Sequence, residues 1–71
     1  MNYLAVEVGA KIRTLRKEKG FSQERLALTA KLDRSYVGRI ERGEVNITLE
    51  TLYQLAKTIE CNPRDLLPNE I

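Results

Sequence analysis

Residues 21–43, FSQERLALTAKLDRSYVGRIERG, constrain the fold more than any other stretch. They read as two short helices joined by a tight turn. Ser22 is placed to cap the first, because its hydroxyl can accept a bond from an orphan N–H of the first turn. Leu26, Ala27 and Ala30 then fall on one face at helical spacing. Leu32 marks the turn, and Asp33 is placed to cap a second helix. Val37 and Ile40, three residues apart, give that helix its inward stripe, and Gly43 follows where a left-handed residue closes a helix. Arg34, Ser35, Tyr36, Gly38, Arg39 and Arg42 are left to face outward. Helices this short are not stable alone in water, so the rest of the chain is read as their scaffold.

The pattern S-Q-E-x-L-A, followed after the turn by I-E-R-G, resembles the helix-turn-helix of phage-repressor-like (Xre-type) DNA-binding domains. The longer run LDRSYVGRIERGEVNITLETL, continuing to QLAKTIECNPRDLL, is similar to the small controller proteins of restriction–modification systems. The likeness spans about residues 8–67. It implies an all-α, five-helix phage-repressor-like domain whose second and third helices form the motif. The whole chain, 1–71, is then one domain.

The resemblance also implies function. Such a protein is a transcription regulator that binds double-stranded DNA as a homodimer on a palindromic operator, with paired dimers at higher occupancy. The controllers regulate their own promoter and a neighbouring endonuclease gene, activating beside RNA polymerase and repressing when more is bound. Two other readings stay open: a free-standing Xre-type repressor, and a DNA-binding antitoxin that holds a protein toxin. The chain ends soon after the expected fifth helix, which leaves little to wrap a toxin.

The same motif assigns residues. A helix fits the major groove, where base edges present distinct donors and acceptors, and the N-terminal residues of the second helix of the motif meet them. Arg34, Ser35, Tyr36 and Arg39 are therefore the expected base contacts, with both arginines suited to guanine. In the family the glutamine at Gln23 contacts a phosphate. Arg25, Arg42 and Asn46 are further candidates for backbone contacts, which position a protein without reading sequence. Arg13 and Lys17 are weaker ones. The Val45 position is commonly Arg in the controllers, so one contact is missing here. Arg16 matches a family position that pairs with the glutamate of E-R-G, here Glu41.

The flanking segments supply the scaffold. Leu4, Val8, Ile12 and Leu15 predict a first helix over about residues 4–19. Gly9 weakens it by roughly 1 kcal/mol relative to alanine, so its start is expected near Val8. Lys31 stands where the turn of the motif often has glycine. Val45 and Ile47 are expected to pack inward. Thr48 is placed to cap a fourth helix whose stripe is Leu49, Leu52, Leu55, Ala56 and Ile59. Asn62-Pro63-Arg64-Asp65 reads as a fifth helix start, with Asn62 as cap and Asp65 as the acid of a capping box. Leu66, Leu67 and Ile71 either form a two-fold interface, as the matching family segment often does, or close the core. Tyr53 is either a surface tyrosine or a dimer contact.

Composition narrows the function classes. From Lys11 to Arg42 there are ten basic and four acidic residues, and outside that span two basic and six acidic. A positive half and a negative half suit a chain that turns one face to a polyanion. There is no histidine, and Cys61 is the only cysteine. No metal cluster, nucleophile–base pair or cofactor is therefore expected, and an enzyme is not. Cys61 reads as a small apolar filler. No membrane span or signal peptide is indicated, which points to a cytoplasmic protein.

Overall fold

The computed structural model describes residues 3–69. Four α-helices, α1 (Tyr3–Lys19), α2 (Gln23–Ala30), α3 (Arg34–Glu41) and α4 (Leu49–Ile59), are followed by a single 3-10 turn, Pro63–Leu66. Local chemistry sets the starts. The Ser22 hydroxyl accepts from the Arg25 N–H at 3.0 Å, the Asp33 carboxylate from the Ser35 N–H at 3.1 Å, and the Thr48 hydroxyl from the Thr51 N–H at 3.1 Å. Each cap satisfies a donor that the helix leaves without a partner. Two helices end on left-handed residues that are not glycine, Lys31 (φ 59°) and Glu60 (φ 63°). Each carries roughly 1 kcal/mol of strain. The Glu60 carboxylate is held by Lys19 at the end of α1.

The core forms where the helices converge. Ile12, Leu26, Val37, Leu55 and Leu66 are fully buried, and Ala27, Ala30, Ile40, Leu52, Ala56 and Ile59 complete the cluster. Each large side chain contributes about 1.5–3 kcal/mol by leaving water. The central helix α4 packs on α2, α1 and the 3-10 turn, while α3 lies across α2 and α1. Val45 and Ile47 are half-buried against the same core.

The first helix differs from the sequence expectation in start and in face. It begins at Tyr3 and runs through Gly9 without a break. The residues it buries are Ala5, Gly9, Ile12 and Arg16, one position round from Leu4 and Val8. Leu4 is exposed, and Val8 and Leu15 are half-buried. The reason is a close approach. A Cβ on Gly9 would lie 2.2 Å from the Ile40 carbonyl oxygen and 2.9 Å from that of Glu41. Only glycine lets the two helix backbones meet there.

The fifth helix is corrected. Its capping box is present, with Asn62 accepting from the Arg64 N–H and Asp65 from the Asn62 N–H. Four residues then make one 3-10 turn, because Leu67 is already extended (φ −100°, ψ 150°) and Pro68 has no N–H to continue. The turn directs Leu66 into the core, where it is 0% exposed. Leu66 is thereby removed from any interface between copies.

Candidate nucleic-acid interface

The turn between α2 and α3 is three residues, Lys31, Leu32 and Asp33. The Leu32 N–H reaches back to the Ala27 carbonyl at 2.8 Å, which folds the chain sharply. Leu26, Ala27 and Ala30 of α2 then bury with Val37 and Ile40 of α3. Two consequences follow for α3. Its inner face is fixed, and its outer face carries Arg34, Ser35 and Arg39, all exposed, with Arg42 at its C-terminal cap.

A buried polar cluster fastens α3 from behind. Arg16 Nε donates to Glu41 Oε2 at 2.7 Å and Arg16 Nη2 to Glu41 Oε1 at 3.0 Å. The third arm, Nη1, donates to the Phe21 carbonyl at 2.8 Å. Gln23 Nε2 adds a bond to Glu41 Oε1 at 3.0 Å. Arg16 on α1, the Phe21 carbonyl before α2, Gln23 at the start of α2 and Glu41 at the end of α3 are thus tied together. No buried side-chain nitrogen or oxygen among the described residues lacks a partner. A buried ion pair adds little net stability, but with all its bonds made it fixes orientation.

The expected site residues occupy different settings. Arg34 and Arg39 are on the open face of α3. Ser35 is there too, but its hydroxyl donates to the Asp33 carboxylate. That bond, with those from the Ser35 and Tyr36 N–H groups, outweighs slight desolvation and holds the Asp33 carboxyl below its ordinary range. Tyr36 is half-buried against the core rather than facing outward. Gly38 is buried beneath Arg42, whose Nη1 would lie 3.1 Å from an added Cβ. Expected to face outward, it is instead covered by that guanidinium. Gln23 shares a hollow with Arg13, Arg16, Glu41 and Arg42. Arg25 is exposed, with its guanidinium 4.6 Å from the centre of the Phe21 ring. Asn46 borders a different hollow, an apolar one, with Leu4, Val8, Leu49 and Leu67.

Glu44 was not singled out from the sequence. Arg42 Nε donates to its Oε2 at 2.7 Å, and Arg39 Nε stands 3.8 Å from its Oε1. The Arg42 hydrogen bond, helped by both positive charges against slight desolvation, holds the Glu44 carboxyl below the usual carboxylate range. The spacing R-x-x-R-x-E was the available signal, and the two-residue reach of Arg42 around the Gly43 turn made it effective.

Of the residues considered for an interface between copies, Tyr53 is 60% exposed and Leu67 38%, while Ile71 lies outside the described residues. Among the described residues no group of His, Cys, Asp or Glu could hold a metal ion, and no helix is long and apolar enough to cross a membrane.

Comparison with known proteins places this geometry. The helix-turn-helix family (HTH_3) matches residues 12–66. Control protein C.BamHI of Bacillus amyloliquefaciens is 37% identical over 67 residues, covering 93% of this chain and 83% of that protein. The crystal structure of the restriction–modification controller protein C.AhdI from Aeromonas hydrophila superposes with a TM-score of 0.85 at 46% identity, over 89% of this chain and 96% of that one. The controller C.Esp1396I, solved as a tetramer with its natural 35 base-pair operator, gives 0.81 at 37% identity, over 87% and 82%.

Proposed function

The chain belongs to the helix-turn-helix family of transcription regulators, homologous to restriction–modification controller proteins, and from that premise we propose that it binds a palindromic DNA operator as a homodimer. One observation carries the reading. The helix α3 is immobilised from behind by Val37, Ile40 and the Arg16–Glu41 pair, while Arg34 and Arg39 stay exposed on its outer face. A rigid helix with exposed arginine forks suits base edges in the major groove. In this reading Arg34 and Arg39 read bases, with Ser35 and Tyr36 at the margin of the contact. Arg25, Arg42, Asn46, Arg13 and Gln23 are candidates for the phosphates alongside, Gln23 while it remains bonded to Glu41.

The dimer is supported by apolar surface. Leu49 is 74% exposed, and with Leu4 and Leu67 it lines the apolar hollow between the start of α1 and the start of α4. Tyr53 follows Leu49 one turn later and is also exposed. We assign this face to the second copy. The likeness to restriction–modification controller proteins supports a controlling role in such a system, and regulation of the protein's own promoter and of a neighbouring restriction gene is part of the same proposal.

Selection of bound duplexes from a random pool, at about 0.15 M salt where phosphate-only binding is weak, tests the reading. Palindromic sites with half-sites about 10 base pairs apart are expected. Alanine at Arg34 or Arg39 should cost about 1–3 kcal/mol and relax the preference at one position of each half-site. A pool with no enriched sequence refutes sequence-specific recognition.

A further inference from the structure

The turn after α3 carries a carboxylate that DNA binding does not obviously need. Glu44 accepts from Arg42 Nε at 2.7 Å and from Nη2 at 3.4 Å, and it faces Arg39 Nε at 3.8 Å. Its own N–H donates to the Arg39 carbonyl at 3.0 Å, so the main chain holds it beside both guanidinium groups. The two arginine side chains are 54% and 60% exposed, and that of Glu44 42%, so all three are open to a bound duplex. A carboxylate taking two bonds from one arginine reproduces the fork geometry of a phosphate contact.

We propose that Glu44 is a specificity-determining residue of the DNA face, holding Arg42 and Arg39 as an internal substitute for phosphate. The inference rests on the DNA-binding reading above and deepens it. Affinity for an arbitrary duplex comes from cations that displace counterions at phosphates. While Glu44 keeps the two arginines, each must leave it before it meets a phosphate, and the carboxylate itself faces the polyanion. On an arbitrary duplex both arginines are affected. On the operator the two Nη groups of Arg39 meet a base edge while its Nε stays beside Glu44, so only Arg42 has to exchange partners. Glu44 therefore weakens indiscriminate binding more than operator binding.

The test compares wild type with Glu44→Gln on a random-sequence duplex and on the duplex recovered by selection, across a salt series. On the random duplex the variant should bind about three- to tenfold more tightly near 0.15 M salt, with the slope of log affinity against log salt steeper by about one. On the selected duplex the gain should be about threefold or less, so that the ratio between the two duplexes falls. Equal changes on both duplexes overturn the proposal. So does weaker binding to both, which would make Glu44 a support that positions the arginines for contact. Wild type that binds neither duplex at low salt overturns the DNA-binding reading itself, a result distinct from a variant that merely matches wild type.

Discussion

Replacing Gly9 with alanine sets two effects of opposite sign against each other. Within a helix, alanine is favoured over glycine by about 1 kcal/mol, and Gly9 lies in the middle of α1. Local reasoning alone therefore makes Gly9→Ala stabilising. The tertiary structure reverses the sign. The new Cβ would sit 2.2 Å from the Ile40 carbonyl oxygen and 2.9 Å from that of Glu41. The first is more than about 1 Å short of ordinary van der Waals separation. Both obstacles are main chain, so no side chain can swing aside, and α1 must move away from α3. Overpacking of this kind costs typically 1–3 kcal/mol, and more where the neighbours cannot yield. The same movement pulls Arg16 away from Glu41, whose pair spans the same two helices. A net loss of about 2 kcal/mol is expected after the propensity gain. A domain of this size holds roughly 4–10 kcal/mol in total, and the loss should lower Tm by about 8–16 °C. Urea unfolding followed by far-UV circular dichroism measures it, with an unchanged slope showing that the same surface is exposed. A variant as stable as wild type, or more so, would refute the close approach of α1 and α3. Because α3 carries the exposed arginines, the variant should also bind the selected duplex less tightly than wild type at a temperature where both are folded.

Three further outcomes follow from the same structure. Arg16→Met leaves the buried Glu41 carboxylate with the Gln23 amide alone and should cost about 3–5 kcal/mol in a urea titration. Adding Glu41→Leu should recover much of that loss, and a single variant within about 1 kcal/mol of wild type would dismiss the pair as a fastening. Asp33 has its folded carboxyl pKa depressed by the Ser35 hydroxyl first and then by backbone donors. Its contribution is therefore full above the unfolded value and fades as pH falls through the lower folded one. NMR titration should place the Asp33 midpoint below that of an unstructured aspartate, and Ser35→Ala should move it upward. Leu49→Glu and Leu67→Glu replace exposed side chains on the face proposed for the second copy, so each should fold normally yet sediment as a monomer at concentrations where the proposed wild-type dimer forms. Wild-type sedimentation in both would move the interface elsewhere.

Much of the scaffold of the candidate site was legible in the chain because it is encoded between neighbours. Ser22, Asp33, Thr48 and Asn62 are short polar residues next to helical patterns, and each caps through bonds to residues two or three places on. The α2–turn–α3 unit follows from those caps and from stripes too short to be read another way. The motif also paired Arg16 with Glu41 across 25 positions, though no local rule would have joined them. What the sequence could not decide was how elements meet. For α1 two adjacent stripes were available, and the propensity cost of Gly9 spoke only of the helix in isolation. The carbonyl edge of α3 chose the face that a glycine could let close, which left Leu4 outside and brought Ala5 and Arg16 in. Leu66 and Leu67 were equivalent as letters, yet the 3-10 turn sends one into the core and leaves the other at its edge. The partners of Glu44 likewise depended on the Gly43 turn, whose φ of +76° brings the chain back alongside Arg39 and Arg42. Capping and periodicity act over a few residues and are written in the sequence. Which of two similar faces is buried, and which charges meet, depends on distances set only when all four helices pack together.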